Sequence, residues 1–101
     1  MIRRGKSAAM NWQLYRESAP EDTLFHLDEL SSPYVIIEKS MKDLTPEEIT
    51  MCARQCWEYS AHTHLRRVRV MYTPISNTRL GKEKGSFFIL NLSDVHYVSR
   101  P

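Results

Sequence analysis

Cys52 and Cys56 stand four residues apart, and His62 and His64 flank a single threonine a few residues on. Two thiolates on one helical turn and a His-x-His pair could supply the four tetrahedral donors of a structural zinc ion. The spacing argues otherwise. Structural zinc sites put a close cysteine pair on a knuckle and the second pair about a dozen or more residues away. Here both cysteines coincide with the apolar face of a helical pattern, where free cysteine acts as a small core residue. No metal is expected.

His26, Asp28, Ser31 and Ser32 are the residue types of a hydrolytic triad. No Gly-x-Ser-x-Gly elbow or oxyanion loop accompanies them, and many polar turns carry the same types. The carboxylates Glu21, Asp22, Asp28 and Glu29 match no calcium-loop spacing. Gly5-Lys6-Ser7 has the tail of a phosphate loop without its first glycine or a strand before it. The chain is therefore expected to be non-catalytic and to need no cofactor.

Positive charge is the better lead. The chain has 101 residues and a net charge of only +2, which hides an uneven distribution. Arg3, Arg4 and Lys6 open it without an acid, and residues 16–48 carry nine acids against Arg16, Lys39 and Lys42. Residues 64–85 then set Arg66, Arg67, Arg69, Arg79, Lys82 and Lys84 against Glu83 alone. Such asymmetry permits a basic patch on a nearly neutral protein, although charges scattered over a solvated surface would read the same. Guanidinium forks grip phosphate bidentately and lysines act as point charges, so a basic strand followed by a basic loop suits nucleic acid. Trp12 and Tyr15 could stack on bases, but aromatics at helical spacing are more often core.

The elements that must carry these groups follow from periodicity. Residues 8–18 read as a short helix, and residues 23–28 and 33–39 as strands flanking a Ser-Ser-Pro bend. A long helix is expected over about 45–61: Thr45 can cap it, Pro46 fits its first turn, and Glu48 completes a capping box. Ile49, Cys52, Ala53, Cys56 and Tyr59 or Ser60 make its core face. Residues 65–72 alternate, with Val68, Val70 and Tyr72 on one face and Arg67, Arg69 and Met71 on the other. Residues 73–85 read as a basic loop, and SFFILN with VHYV as a closing hairpin. The expected fold is one α+β domain over residues 1–101, a mainly antiparallel sheet covered by one long helix, with a short N-terminal helix.

Length and composition agree with a small globule, since 42% of the residues are hydrophobic and 26% charged. No apolar run is long enough to span a bilayer, and the N-terminus lacks the apolar core of a secretory signal. Two cysteines make a poor disulfide framework, so a reducing cytosolic or nuclear setting is expected, the cytoplasmic one first.

Several strings together resemble the NFACT-R domain of ribosome quality-control factors. They are Gly5-Lys6, Asn11, Leu14, the run PEDTLFHLDELSS at 20–32, VII at 35–37, Cys52-Ala53, Ser60, VRVMYTPISN at 68–77, and Gly85. The resemblance covers nearly the whole chain and lies closer to the small eukaryotic coiled-coil group of the family. Leu24 stands where the family often has tryptophan, Tyr34 where it usually has histidine, and Thr78-Arg79 where it commonly has lysines. Of the family's opening strands only Ile2 is left.

The resemblance implies RNA binding, to tRNA or rRNA in a ribosome quality-control context with ribosome association, and no catalysis. DNA recognition in the coiled-coil group keeps DNA as an alternative. Taken with the charge pattern, the expected nucleic-acid-binding residues are Gly5, Lys6, His26, Arg66, Arg67, Arg69, Asn77, Arg79, Lys82 and Lys84. Asn77 and His26 are expected to share one polar cluster and to supply selectivity. The rival reading is a protein-interaction module that docks on a ribosomal or quality-control partner through its final hairpin.

Overall fold

In the computed structural model, which describes residues 1–99, a five-stranded antiparallel sheet runs in the order β1-β3-β2-β4-β7. Its strands are β1 (Ile2–Arg4), β2 (Thr23–Leu27), β3 (Val35–Ile37), β4 (Arg67–Pro74) and β7 (Asp94–Ser99). Helix α1 (Ala8–Glu17) follows β1, and helix α2 (Pro46–Glu58) lies between β3 and β4. A separate two-stranded ribbon pairs β5 (Thr78–Leu80) with β6 (Phe87–Ile89).

The sheet is buried on both faces at its centre, which revises the expected one-sided cover. Successive strand residues point to opposite faces. Phe25, Leu27, Val35 and Ile37 pack with Cys52, Ala53, Cys56 and Trp57 of α2. Their alternates Leu24, Tyr34 and Ile36 pack with Leu14 of α1 and Ile75. This is why β3 reads as an unbroken apolar run rather than an alternating one.

The helices also differ from expectation in length. α1 has 10 residues and α2 has 13, so no single long helix dominates the domain. The start of α2 is as read: Thr45 Oγ1 accepts from Glu48 N at 3.1 Å, and Glu48 Oε1 accepts from Thr45 N at 3.0 Å. Its end comes three residues before the expected 61. Ser60 donates its hydroxyl to Trp57 O at 2.7 Å and accepts from His62 N, while Trp57 Nε1 donates to His62 O. That local network turns the chain, buries Trp57 and leaves Tyr59 exposed.

Three further corrections concern strands. Residues 2–4 do form a strand, pairing Ile2, Arg3 and Arg4 with Ile37, Ile36 and Val35. The basic stretch 73–85 is not all loop: β4 runs on to Pro74, and Thr78–Leu80 is β5. The closing hairpin does not exist, because β6 pairs back onto β5 and β7 joins β4 along Arg67↔Ser99 to Tyr72↔Asp94. The connection 81–86 is closed by Gly81 N donating to Ser86 O, with Gly85 at a φ of +88° that favours glycine. Residues 90–93 offer no comparable tight turn and instead carry the chain to the sheet's edge.

Candidate nucleic-acid interface

A cleft of about 980 Å³ opens where the N-terminal segment, the turn after β2 and the β5–β6 ribbon meet. Its base is aromatic. His26 and Phe87 line it, and with Tyr34 buried behind them they form a closed set of edge-to-face pairs, with centroids 5.7 (His26–Tyr34), 5.0 (His26–Phe87) and 5.3 Å (Tyr34–Phe87) apart. Such geometry sets the positive edge of one ring against the negative face of the next. Tyr34 is fully buried, and its hydroxyl donates to Gly85 O at 2.7 Å. Burial pushes that hydroxyl up to about 12, so it stays protonated and keeps donating. Tyr34 thus ties the ribbon to β3.

His26 is held by its own strand end. Nδ1 lies 2.6 Å from Leu27 O, and a carbonyl can only accept, so Nδ1 carries the proton. Burial pulls the imidazole below its ordinary pKa, outweighing the carbonyl contact and the nearby Asp28 charge. The neighbouring serine does turn work: Ser32 Oγ accepts from Leu27 N and donates to Pro33 O, both at 3.0 Å. Ser31 faces His62 instead, at 3.4 Å. No described hydrogen bond joins His26 to either serine, which leaves a triad without its nucleophile–base contact.

Gly5 and Lys6 enter from the other side. Gly5 is buried, and its N–H donates to Tyr34 O at 3.0 Å. A Cβ there would stand 1.8 Å from Asn11 Oδ1, the atom that accepts from Tyr34 N. The glycine therefore exists to let α1 close on β3, and its N–H is already used. Lys6 is exposed on the cleft rim, as is Lys84 from the ribbon loop. Among the described residues neither lysine has an ion pair, and nor do Arg66 or Lys82. Arg4, also lining the cleft, lies over the Tyr59 ring at 3.5 Å.

The β4 arginines extend from this rim along the sheet face that α1 leaves open. Arg69 donates through Nε to Asp28 Oδ2 at 2.6 Å and forms a second contact to that oxygen through Nη2. Arg67 stacks over the Tyr97 ring at 4.2 Å. Arg79 donates to Thr78 O and stands opposite Phe88 in the ribbon.

A family model for the NFACT protein RNA binding domain matches residues 1–90. The chain belongs to that family. The matched residues of this NFACT RNA-binding domain include every element of the cleft, whereas β7 with Tyr97 lies beyond them. No curated protein matches the chain. Among solved structures it is similar to the C-terminal of the fibronectin/fibrinogen-binding protein from Streptococcus suis, with a TM-score of 0.88 and 19% identity. That match covers 99% of this chain but 41% of the other, and at this identity it speaks for the fold alone.

Of the residues expected to bind nucleic acid, the NFACT domain gathers Gly5, Lys6, His26 and Lys84 around one cleft. Arg69 adjoins it through Asp28. Arg66, Arg67, Arg79 and Lys82 lie outside its lining. The expected His26–Asn77 cluster is absent among the described residues. The β2–β4 register sets His26 opposite Met71, while Asn77 lies past Pro74. Asn77 Nδ2 donates to Thr73 Oγ1 at 2.8 Å and Leu92 O at 3.3 Å, fastening the end of β4. Trp12 and Tyr15 are half-buried and bonded to Ser86 O and Thr78 Oγ1, so they pack α1 to the ribbon.

Sequence reasoning passed over Phe87, Phe88 and Tyr97. The apolar SFFILN run signalled a strand, but only the ribbon pairing reveals which ring faces His26. Cys52 and Cys56 are buried and free, and burial pushes both thiols up, Cys52 to about 12. Among the described residues no His, Cys, Asp or Glu cluster could hold a metal ion, and no helix is long and apolar enough to cross a membrane.

Proposed function

We propose that this domain binds structured RNA, tRNA or rRNA, without catalysing a reaction on it, in the cytoplasm and in a ribosome quality-control setting. One observation carries the reading. Lys6 and Lys84, distant in sequence, converge on one aromatic-floored cleft and, among the described residues, have no ion-pair partner. Uncommitted lysines beside aromatic rings suit a phosphate backbone with bases alongside it. Arg66, Arg67, Arg79 and Lys82 offer further phosphate contacts on the adjoining surface. Arg69 is the weaker phosphate ligand of the set, because binding there must compete with Asp28.

The test is binding of labelled tRNA and matched duplex DNA across a salt series, comparing wild type with a Lys6→Ala/Lys82→Ala/Lys84→Ala variant. These side chains are exposed and unpaired, so the variant should fold normally. Wild type should bind tRNA with strong salt dependence, and each lost contact should flatten the log–log slope by about 0.7–0.9. Equal preference for duplex DNA would reassign the ligand class. No binding to either at low salt would overturn the reading.

A second reading draws on Phe88, Leu90, Leu92, Val95 and Tyr97, all exposed, with Leu92 at 93%. Leu92, Val95 and Tyr97 on and beside β7, with Phe88 and Leu90 on and beside β6, favour a protein-docking face for a ribosomal or quality-control partner. Affinity for such a partner would be insensitive to salt and lost on Leu92→Lys, with tRNA binding untouched.

A further inference from the structure

Inside the cleft the charges nearly balance. Arg4, Lys6 and Lys84 face Glu29 and Glu83, while Asp28 is already paired with Arg69, so the small positive excess sits at the rim with Lys6 and Lys84. Between them the interior offers ring surface and one directed acceptor. Phe87 packs nearly perpendicular to His26, while its strand neighbour Phe88, 52% exposed, turns to the ribbon's other side with Arg79.

The acceptor follows from the hydrogen-bond inventory. A neutral imidazole has one N–H, and at His26 it is committed to Leu27 O. Nε2 therefore has a bare lone pair. Among the described residues nothing donates to it, and no buried side-chain nitrogen or oxygen lacks a partner, so Nε2 is not sealed from solvent. His26 belongs to the lining of the cleft. Burial favours the neutral ring and so preserves the acceptor.

We propose that the cleft takes one unpaired RNA base beside Phe87, with His26 Nε2 accepting an N–H from the base edge while Lys6 and Lys84 hold the flanking phosphates. This rests on the RNA-binding reading above and adds which part of the RNA enters. The base must be unpaired, because a duplex keeps it stacked between its neighbours and out of reach of a cleft floor. At about 980 Å³ the cleft lies near the top of the ~300–1,000 Å³ range of small-molecule sites, room for a base with its ribose.

The test compares a short single-stranded RNA carrying every base type with the same sugar–phosphate strand stripped of its bases. The two have equal charge. Wild type should prefer the base-bearing strand by about 3- to 10-fold, the worth of one hydrogen bond with its supporting contact, at equal salt slopes. His26→Phe keeps a ring but has no acceptor and should lose much of that preference. A ring-nitrogen measurement on wild type makes the result independent of that variant's folding: the ¹⁵N shift of Nε2 should move on adding the base-bearing strand, while Nδ1 stays. Equal, salt-sensitive binding of both strands would overturn base capture and leave RNA binding standing. Binding of neither strand would overturn base capture, and failure to bind tRNA as well would overturn the RNA-binding reading. A preference kept in full by His26→Phe, or a motionless Nε2, would overturn the role of His26.

Discussion

His26 occupies a strand position whose neighbours, Phe25 and Leu27, are core residues, yet its ring reaches a solvent-open cleft. The period of two explains this: Phe25 and Leu27 turn toward α2, and His26 turns to the other face with Tyr34. Burial lowers the folded-state pKa of His26 beneath its ordinary 6.5. Between the two values the unfolded chain binds more protons. Its contribution to stability is therefore complete above about 6.5, is lost as pH falls through that value, and levels off beneath the folded pKa. Urea midpoints across that window should decline with acidification in wild type and decline less in His26→Phe. An unchanged slope in the variant would assign the effect to other groups. At this scale the histidine's presence was legible from its turn, whereas its partners were not. Asn77, chosen for the same cluster, proved to fasten Thr73 and Leu92 instead.

At the scale of elements, the helices and central strands could be read because their signals are local. Thr45, Pro46 and Glu48 specify the start of α2 through side-chain-to-backbone bonds spanning three residues. Thr45→Ala removes the acceptor for Glu48 N and should cost about 1 kcal/mol in chemical denaturation, with the fold retained. An unchanged midpoint would mean that tertiary packing alone sets this helix end. The helix's far end was misjudged because Ser60 and His62 stop it with bonds that no periodicity announces. Strand pairing was misjudged for a related reason. The SFFILN run is strand-like in either partnership, and only the closed 81–86 connection chooses β5 over β7.

For the whole molecule, the cleft depends on how the ribbon is hung on the sheet. Tyr34 Oη to Gly85 O, Trp12 Nε1 to Ser86 O and Tyr15 Oη with Thr78 Oγ1 are the polar ties. The approach is close: a Cβ at Gly85 would stand 2.7 Å from Ala8 Cβ. Tyr34→Phe preserves the ring cluster but strands Gly85 O. It should destabilise the domain by about 1–3 kcal/mol and speed hydrogen exchange in residues 86–89 ahead of the sheet. Exchange that stays uniform would show the ribbon to be held by α1 alone.

The sequence by itself determined the α+β class, the helix α2 with its cap, the alternation of Val68, Val70 and Tyr72 against Arg67 and Arg69, and the family strings from Gly5 to Gly85. Each is written in residues a few positions apart, within reach of one turn or one strand. The tertiary structure alone decided that both sheet faces are covered, that β6 joins β5, and that Lys6, His26 and Lys84 share a cleft while Asn77 does not. Those outcomes rest on contacts between segments up to 78 positions apart, such as Lys6 and Lys84. Their register follows from packing Tyr34 between Asn11 and Gly85, which no local pattern encodes.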